Sequence, residues 1–153
     1  MADKQYDLID LLGDDSPLCA CHTLRKAARA VTQYYDGALR PTGLRATQFT
    51  ILVTGARTGT ATMTELADIL VVDRTTLTRN LKPLRDRGLI ESVAGEDRRE
   101  RLIAITAKGR QALARALPAW RKAQAGIAGR LGGARWSRMT RDLGEAMRLA
   151  QGT

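Results

Sequence analysis

Three side chains near the start of the chain can do covalent chemistry. Cys19, Cys21 and His22 fall within four positions, and they are the only cysteines and the only histidine among 153 residues. A thiol beside an imidazole suits nucleophilic attack with His22 as base, reversible oxidation, or metal ligation. Ligation is the weakest of these, because three ligands at most are present and, on a helix, one of them faces the wrong way. Cys19 and Cys21 point to different sides of a helix, so a bond between them needs local unwinding. One histidine leaves no material for a Ser-His-Asp or HExxH centre, and neither GxGxxG nor GxxxxGK[ST] occurs. No metal, no cofactor and no enzymatic activity are therefore expected.

A second set of residues recognises rather than reacts. In Arg74-Thr75-Thr76-Leu77-Thr78-Arg79-Asn80-Leu81-Lys82, Leu77, Leu81 and Leu84 make one helix stripe and Thr75, Thr78, Arg79 and Lys82 the opposite face. Thr75, Thr76 and Thr78 can bond bases or phosphates, or touch a thymine methyl. Arg79 can fork onto a guanine, and Arg74 and Lys82 suit phosphate. The plainer alternatives are a solvated helix face, or Arg79 paired with Asp86. Further on, Arg98, Arg99 and Arg101 follow the turn Ala94-Gly95-Glu96-Asp97. Such a tip can enter a narrow minor groove, with Asp97 fixing Arg99 through a charge-assisted hydrogen bond. A salt-bridged, solvated tip is the competing reading.

These side chains need a frame. Charged residues make up 27% and hydrophobic ones 44%, enough for an ordinary core. Twenty-five basic residues against 16 acids leave a formal +9, which favours a polyanionic partner. The charge is uneven: residues 1–17 carry net −4, 74–101 net +3, and 102–141 nine basic residues with no acid. The start, MADKQYDLIDLLGDD, does not read as a signal peptide, and no apolar run nears the roughly 20 residues of a membrane span. A cytoplasmic protein with no membrane partner is expected.

Apolar residues at Cys21, Leu24, Ala28, Val31, Tyr35 and Ala38 step by three and four, one face of a helix that starts after Ser16-Pro17 and stops before Pro41. A second helix follows Gly43, with Phe49, Leu52 and Val53 inward. Thr62 and Glu65 read as a capping box, and Asp73 caps the next helix after a three-residue turn. Gly88 ends that helix. Short strands at Leu89–Val93 and Arg101–Ile105 then form a hairpin. Thr106 caps a long helix to about Leu131 whose larger apolar residues are Leu113, Leu117, Trp120 and Ile127, and a last helix runs from about Arg135 to Ala150. Pro83 and Pro118 should kink their helices. The expected fold is mainly α with a small β-hairpin wing: a winged helix-turn-helix core flanked by N- and C-terminal dimerisation helices. The segments are an acidic extension (1–17), N-terminal helices (18–57), the winged helix-turn-helix (58–106) and C-terminal dimerisation helices (107–153). Helices surplus to the core need a partner, and a second copy of the chain is the simplest.

Two segments resemble one family. TELADILVVDRTTLTRNLKPLRDRGLI is similar to the helix-turn-helix of MarR-family bacterial winged-helix regulators, and DRRERLIAITAKG to the family's DxR…LTxxG wing signature. In the second, Asp97, Arg99, Leu102, Ile105, Thr106 and Gly109 stand at the expected offsets, and the resemblance runs from about Leu18 to Leu149. It implies a homodimer that binds a pseudo-palindromic operator in double-stranded DNA, usually as a repressor, and leaves it on a small-molecule or oxidant signal. It also implies that Arg99 inserts into the groove and Asp97 positions it.

In the family's oxidant-sensing branch, a reactive cysteine stands near the start of the first helix. Cys21 matches that place, and Tyr35 matches a tyrosine that contacts it. The two lie about 21 Å apart along one helix, so they meet only across a dimer. The branch's second tyrosine falls at Ala46, and another at Arg25. A Cys21 that is merely a small hydrophobe buried in the dimer interface competes with this role. The family's ligand pocket would draw on Leu24, Arg25, Tyr35, Phe49 and Trp120, where Arg25 and Arg29 either suit an anionic aromatic acid or are solvated face residues; an organic hydroperoxide is the alternative signal. Two other functions compete: a nonspecific nucleoid-type DNA binder, and a small thiol-dependent peroxidase using Cys21 and His22.

Overall fold

Proline and glycine place the first boundary and capping side chains the later ones. The computed structural model describes residues 19–95 and 101–152. Within them run α1 (Ala20–Leu39), a 3-10 turn (Arg40–Thr42), α2 (Ala46–Thr58), β1 (Thr60–Thr62), α3 (Met63–Leu70), α4 (Arg74–Asp86), β2 (Ile90–Ala94), β3 (Arg101–Ile105), α5 (Ala107–Leu131) and α6 (Gly133–Gln151). The chain divides into two compact units, Met1–Gln33 and Tyr34–Thr153. The Ser16-Pro17 cap and the acidic extension lie outside the described residues. Of the first unit, residues 19–33 are described, and all but Thr32 are exposed.

In the second unit α1 ends at the fully buried Leu39, one residue before the turn that contains Pro41. Proline has no N–H to continue an α-helix, and Gly43 closes the turn at φ +73°. The N-terminus of α2 is satisfied by a side chain the sequence did not advertise. Asp36 of α1 accepts from the Ala46 N–H at 2.7 Å, and Gln48 reaches back to the Arg45 N–H at 3.1 Å.

The three caps read from the sequence are present. Thr62 accepts from the Glu65 N–H at 3.1 Å while Glu65 accepts from the Thr62 N–H at 2.7 Å. Asp73 accepts from the Thr76 N–H at 2.8 Å, and Thr106 from the Gly109 N–H at 3.0 Å. At the other end of α4, Gly88 (φ +67°) allows a Schellman closure. Its own N–H donates to Arg85 O at 2.8 Å and the Leu89 N–H to Leu84 O at 2.9 Å. Pro83 and Pro118 lie inside α4 and α5, and neither ends its helix.

The wing differs from expectation in one respect. Rather than a two-stranded hairpin, the strands form a three-stranded antiparallel sheet in the order β1-β3-β2. Thr60, Ala61 and Thr62 face Ala104, Ile103 and Leu102, and Ile90 to Ala94 face Ile105 to Arg101. The added strand satisfies the outer edge of β3, which a hairpin alone leaves unpaired.

The core gathers Leu39, Leu44, Phe49, Leu52, Leu66, Leu77, Leu81, Leu84 and Leu89, each at most 4% exposed. Along α5 the buried face consists of Gly109, Ala112, Ala116 and Ala123, whereas Leu113, Leu117, Trp120 and Ile127 are half-buried. Small residues let the α5 backbone lie close against its neighbours. A Cβ added to Gly109 would stand 2.1 Å from Leu89 O.

Candidate nucleic-acid interface

The base of the candidate interface is apolar: Leu77, Leu81 and Leu84 are each 0% exposed. That stripe fixes which side of α4 meets solvent. Arg74, Thr75, Thr78, Arg79 and Lys82 are exposed, as expected for a reading face, and Thr76 is half-buried.

The hydroxyls are not equivalent. Thr76 Oγ1 donates to Asp73 Oδ2 at 2.6 Å, and Thr78 Oγ1 donates to Arg74 O at 2.7 Å. Thr76 therefore serves the cap first. Hydrogen bonds from its hydroxyl and its N–H hold the Asp73 carboxyl below the ordinary carboxylate range. In the preceding helix, the Thr62 N–H and then its hydroxyl do the same to Glu65. The alternative pairing of Arg79 with Asp86 does not form. Asp86 is taken by Lys82, one turn away, at 2.6 Å, which leaves Arg79 without an ion pair among the described residues. Both members of the Lys82–Asp86 pair are well exposed, so the pair is weak and Lys82 can exchange to another anion. Pro83, four residues after Arg79, brings no N–H to the Arg79 carbonyl.

Asp97, Arg98 and Arg99 lie outside the described residues. The strands that carry this tip are described up to Ala94 and from Arg101, which face each other in the ladder.

The thiols and the residues grouped with them are spread along α1 and α2. Cys19 and Cys21 are both free and exposed. The Cys19 carbonyl accepts from the Thr23 N–H at 3.0 Å, so Cys21 sits in the first turn of α1. Leu24 and Arg25 are exposed on the same helix. Tyr35 is half-buried and its hydroxyl donates to Gln124 Oε1 of α5. Burial, and then the nearby Tyr34, push that hydroxyl's pKa up. Phe49, of the expected pocket residues, is the most deeply buried. It is 4% exposed and stacks on Trp120 with ring centroids 5.6 Å apart, so it belongs to the core.

Sequence reasoning missed Arg87, Lys108 and Gly43. Arg87 Nη1 donates to Gly43 O at 2.7 Å, and Lys108 Nζ donates to Arg87 O at 2.8 Å. Their separations of 44 and 21 residues leave no local pattern to find.

Comparison with known proteins gives a consistent picture. The MarR family pattern matches residues 44–100. The transcriptional regulator MosR of M. tuberculosis, solved in complex with DNA, is 46% identical, with a TM-score of 0.79 over 88% of this chain and 97% of that one. MarR of E. coli in its apo form, 20% identical, shares the fold, with a TM-score of 0.70 over 85% of this chain and 98% of that one. The uncharacterized HTH-type transcriptional regulator YwoH of Bacillus subtilis is 32% identical over 85 residues, a match that spans 62% of its length.

Proposed function

Because the chain belongs to the MarR family of transcriptional regulators, we propose that it binds double-stranded DNA sequence-specifically, with α4 as the reading helix. The observation that carries this is the α4 face itself: Thr75 and Arg79 stand exposed and uncommitted above a fully buried leucine stripe. An α-helix fits the major groove, and a guanidinium without an ion pair can fork onto guanine. MosR, solved with DNA, supports the same reading. Arg74 and Lys82 take phosphate. Arg98 and Arg99 take the adjacent minor groove with Asp97 as positioner, a role that rests on the wing signature.

The acting species is a homodimeric repressor on a pseudo-palindromic operator in the cytoplasm. Leu143 and Met147, one turn apart on α6, are 38% and 54% exposed, a face suited to a second copy. No described helix is long and apolar enough to cross a membrane. Release follows either oxidation of Cys21, for instance by an organic hydroperoxide, or binding of a small anionic aromatic ligand. The free, exposed thiol of Cys21 in the first turn of α1, open to an oxidant, supports the first route.

The test is selection of a binding site from random duplexes, followed by footprinting. Arg79→Ala should cost about 10- to 100-fold in affinity and relax one base position. Arg99→Ala should weaken operator binding strongly without lowering the thermal midpoint. A protein that protects every duplex equally would be a nonspecific binder instead. Footprints with and without cumene hydroperoxide, on wild type and Cys21→Ser, decide the signal. Release in wild type alone assigns it to the thiol, and release in neither assigns it to a ligand.

A further inference from the structure

We infer that Arg87 is a positioning residue for DNA reading: it ties the C-terminal end of α4 to the turn that follows α1, and so sets the direction in which Thr75 and Arg79 are presented. The inference rests on the reading of α4 as the DNA-contacting helix.

Apolar burial under Leu77, Leu81 and Leu84 keeps α4 seated, but the hydrophobic effect has no direction. Packing against neighbouring elements sets the crossing angle to within about 15–20°, and polar contacts at the helix ends narrow it further. At the N-terminal end, the Asp73 side-chain bonds stay within α4 itself, on Thr76. At the C-terminal end, successive groups are bound outward. Arg87 Nη1 donates to Gly43 O at 2.7 Å, and Arg87 O accepts from Lys108 Nζ at 2.8 Å. Gly88 O accepts from Thr106 Oγ1 at 2.8 Å, and Leu89 O accepts from the Thr106 N–H at 3.1 Å. The last three contacts lead to the start of α5. Of these contacts, the Arg87 guanidinium alone reaches the other side, to Gly43.

Gly43 is a firm anchor. It stands at φ +73°, and a Cβ there would lie 3.5 Å from Arg87 Nη2. The preceding Thr42 hydroxyl donates to Leu39 O at 2.7 Å, and Leu39 is fully buried. A shift at the end of α1 therefore passes through Leu39, Thr42 and Gly43 to Arg87. Leverage makes the tie matter: over a helix about 20 Å long, a 5° swing at the base moves the far end by roughly 1.7 Å. A two-bond contact to a base edge does not survive that displacement.

Arg87→Ala, Arg87→Lys and Lys108→Met test this, each measured for thermal midpoint, for affinity to the selected operator and to a scrambled duplex, and for the salt dependence of both. Arg87→Ala is expected to lower the operator-to-scrambled preference about tenfold, a typical size for a side chain that acts on coupling without touching ligand. Scrambled-duplex affinity and the salt slope stay as in wild type. Arg87→Lys restores part of the preference, since an ammonium can still donate to Gly43 O. Lys108→Met, which loosens the other grip on the same residue, lowers it in the same sense and decides the matter should Arg87→Ala not fold. A salt slope smaller by about one, with equal loss on both duplexes, would make Arg87 a phosphate contact and overturn the inference. Unchanged preference in both Arg87→Ala and Lys108→Met overturns it as well. A wild type that does not distinguish operator from scrambled duplex removes the DNA-reading assignment itself.

Discussion

Two threonines one residue apart on α4 show how a hydroxyl is divided between building a helix and reading with it. Thr76 gives its hydroxyl proton to Asp73, whereas the Thr75 hydroxyl has no partner among the described residues. Thr75→Val should therefore change sequence preference with the thermal midpoint untouched, and Thr76→Val should lower the midpoint. The cap has a pH signature. The carboxyls of Asp73 and Glu65 are held below their ordinary range by bonds made only in the folded chain. A depressed carboxylate stabilises fully above its unfolded pKa and loses that contribution as pH falls through the folded value. The gap in melting temperature between wild type and Asp73→Asn should thus be widest at neutral pH and shrink below about pH 4; a constant gap would show that the cap is not ionic. Val71 is a residue of the opposite kind. It holds φ +52° in the turn between α3 and α4 while 56% exposed. A β-branched side chain is strained there, so Val71→Gly should stabilise by about 1 kcal/mol in chemical denaturation, with little burial lost.

At the scale of elements, glycines along α5 make a controlled comparison. A Cβ at Gly109 meets Leu89 O at 2.1 Å, and one at Gly129 meets nothing within 4 Å. Gly109→Ala should cost about 3 kcal/mol by forcing α5 away from Leu89, the residue that precedes β2. Gly129→Ala should gain about 1 kcal/mol from helix propensity alone. Equal effects in urea titrations would mean that close approach does not govern this helix. Leu81→Ala, in the α4 stripe, should cost about 3 kcal/mol through the cavity it leaves.

Which elements were legible in the sequence follows from range. Thr62 with Glu65, Asp73 and Thr106 cap their own helices within three residues, so a local pattern announces them. The leucine stripe of α4 is local too. The cap of α2 comes from Asp36, ten residues back, and β1 is a Thr-Ala-Thr whose only strand signal is its partner at 102–104. Neither can be seen without the fold. The reading face was legible as a face, but the division of labour among its threonines, and the Arg87 tie, depend on partners that spacing does not supply.

For the whole molecule, the proposed function has the formal +9 act at long range and α4 act by contact. The stretch 102–141 holds nine basic residues and no acid, whereas 74–101 is only net +3. The association rate with operator should therefore fall steeply as salt rises, with much less change in dissociation. Stopped-flow mixing across a salt series measures both. Self-association belongs to this scale as well: Leu143→Glu with Met147→Glu should turn a sedimenting dimer into a monomer and abolish tight operator binding. If the double variant still sediments as a dimer, α6 is not the face that joins the copies.

The three-residue strand β1 has a consequence for how the molecule is made. Its pairing with β3, Thr62 opposite Leu102, closes a loop of about forty residues that contains α3, α4 and β2. Helices that carry their own caps form within about a microsecond, whereas a pairing at this separation must wait for the chain ends of the loop to find each other. The helix proposed to read DNA thus begins to form before the sheet beside it is complete. In refolding, helical signal should return in an early phase and operator binding only in the later one, when the smallest strand of the protein completes its ladder.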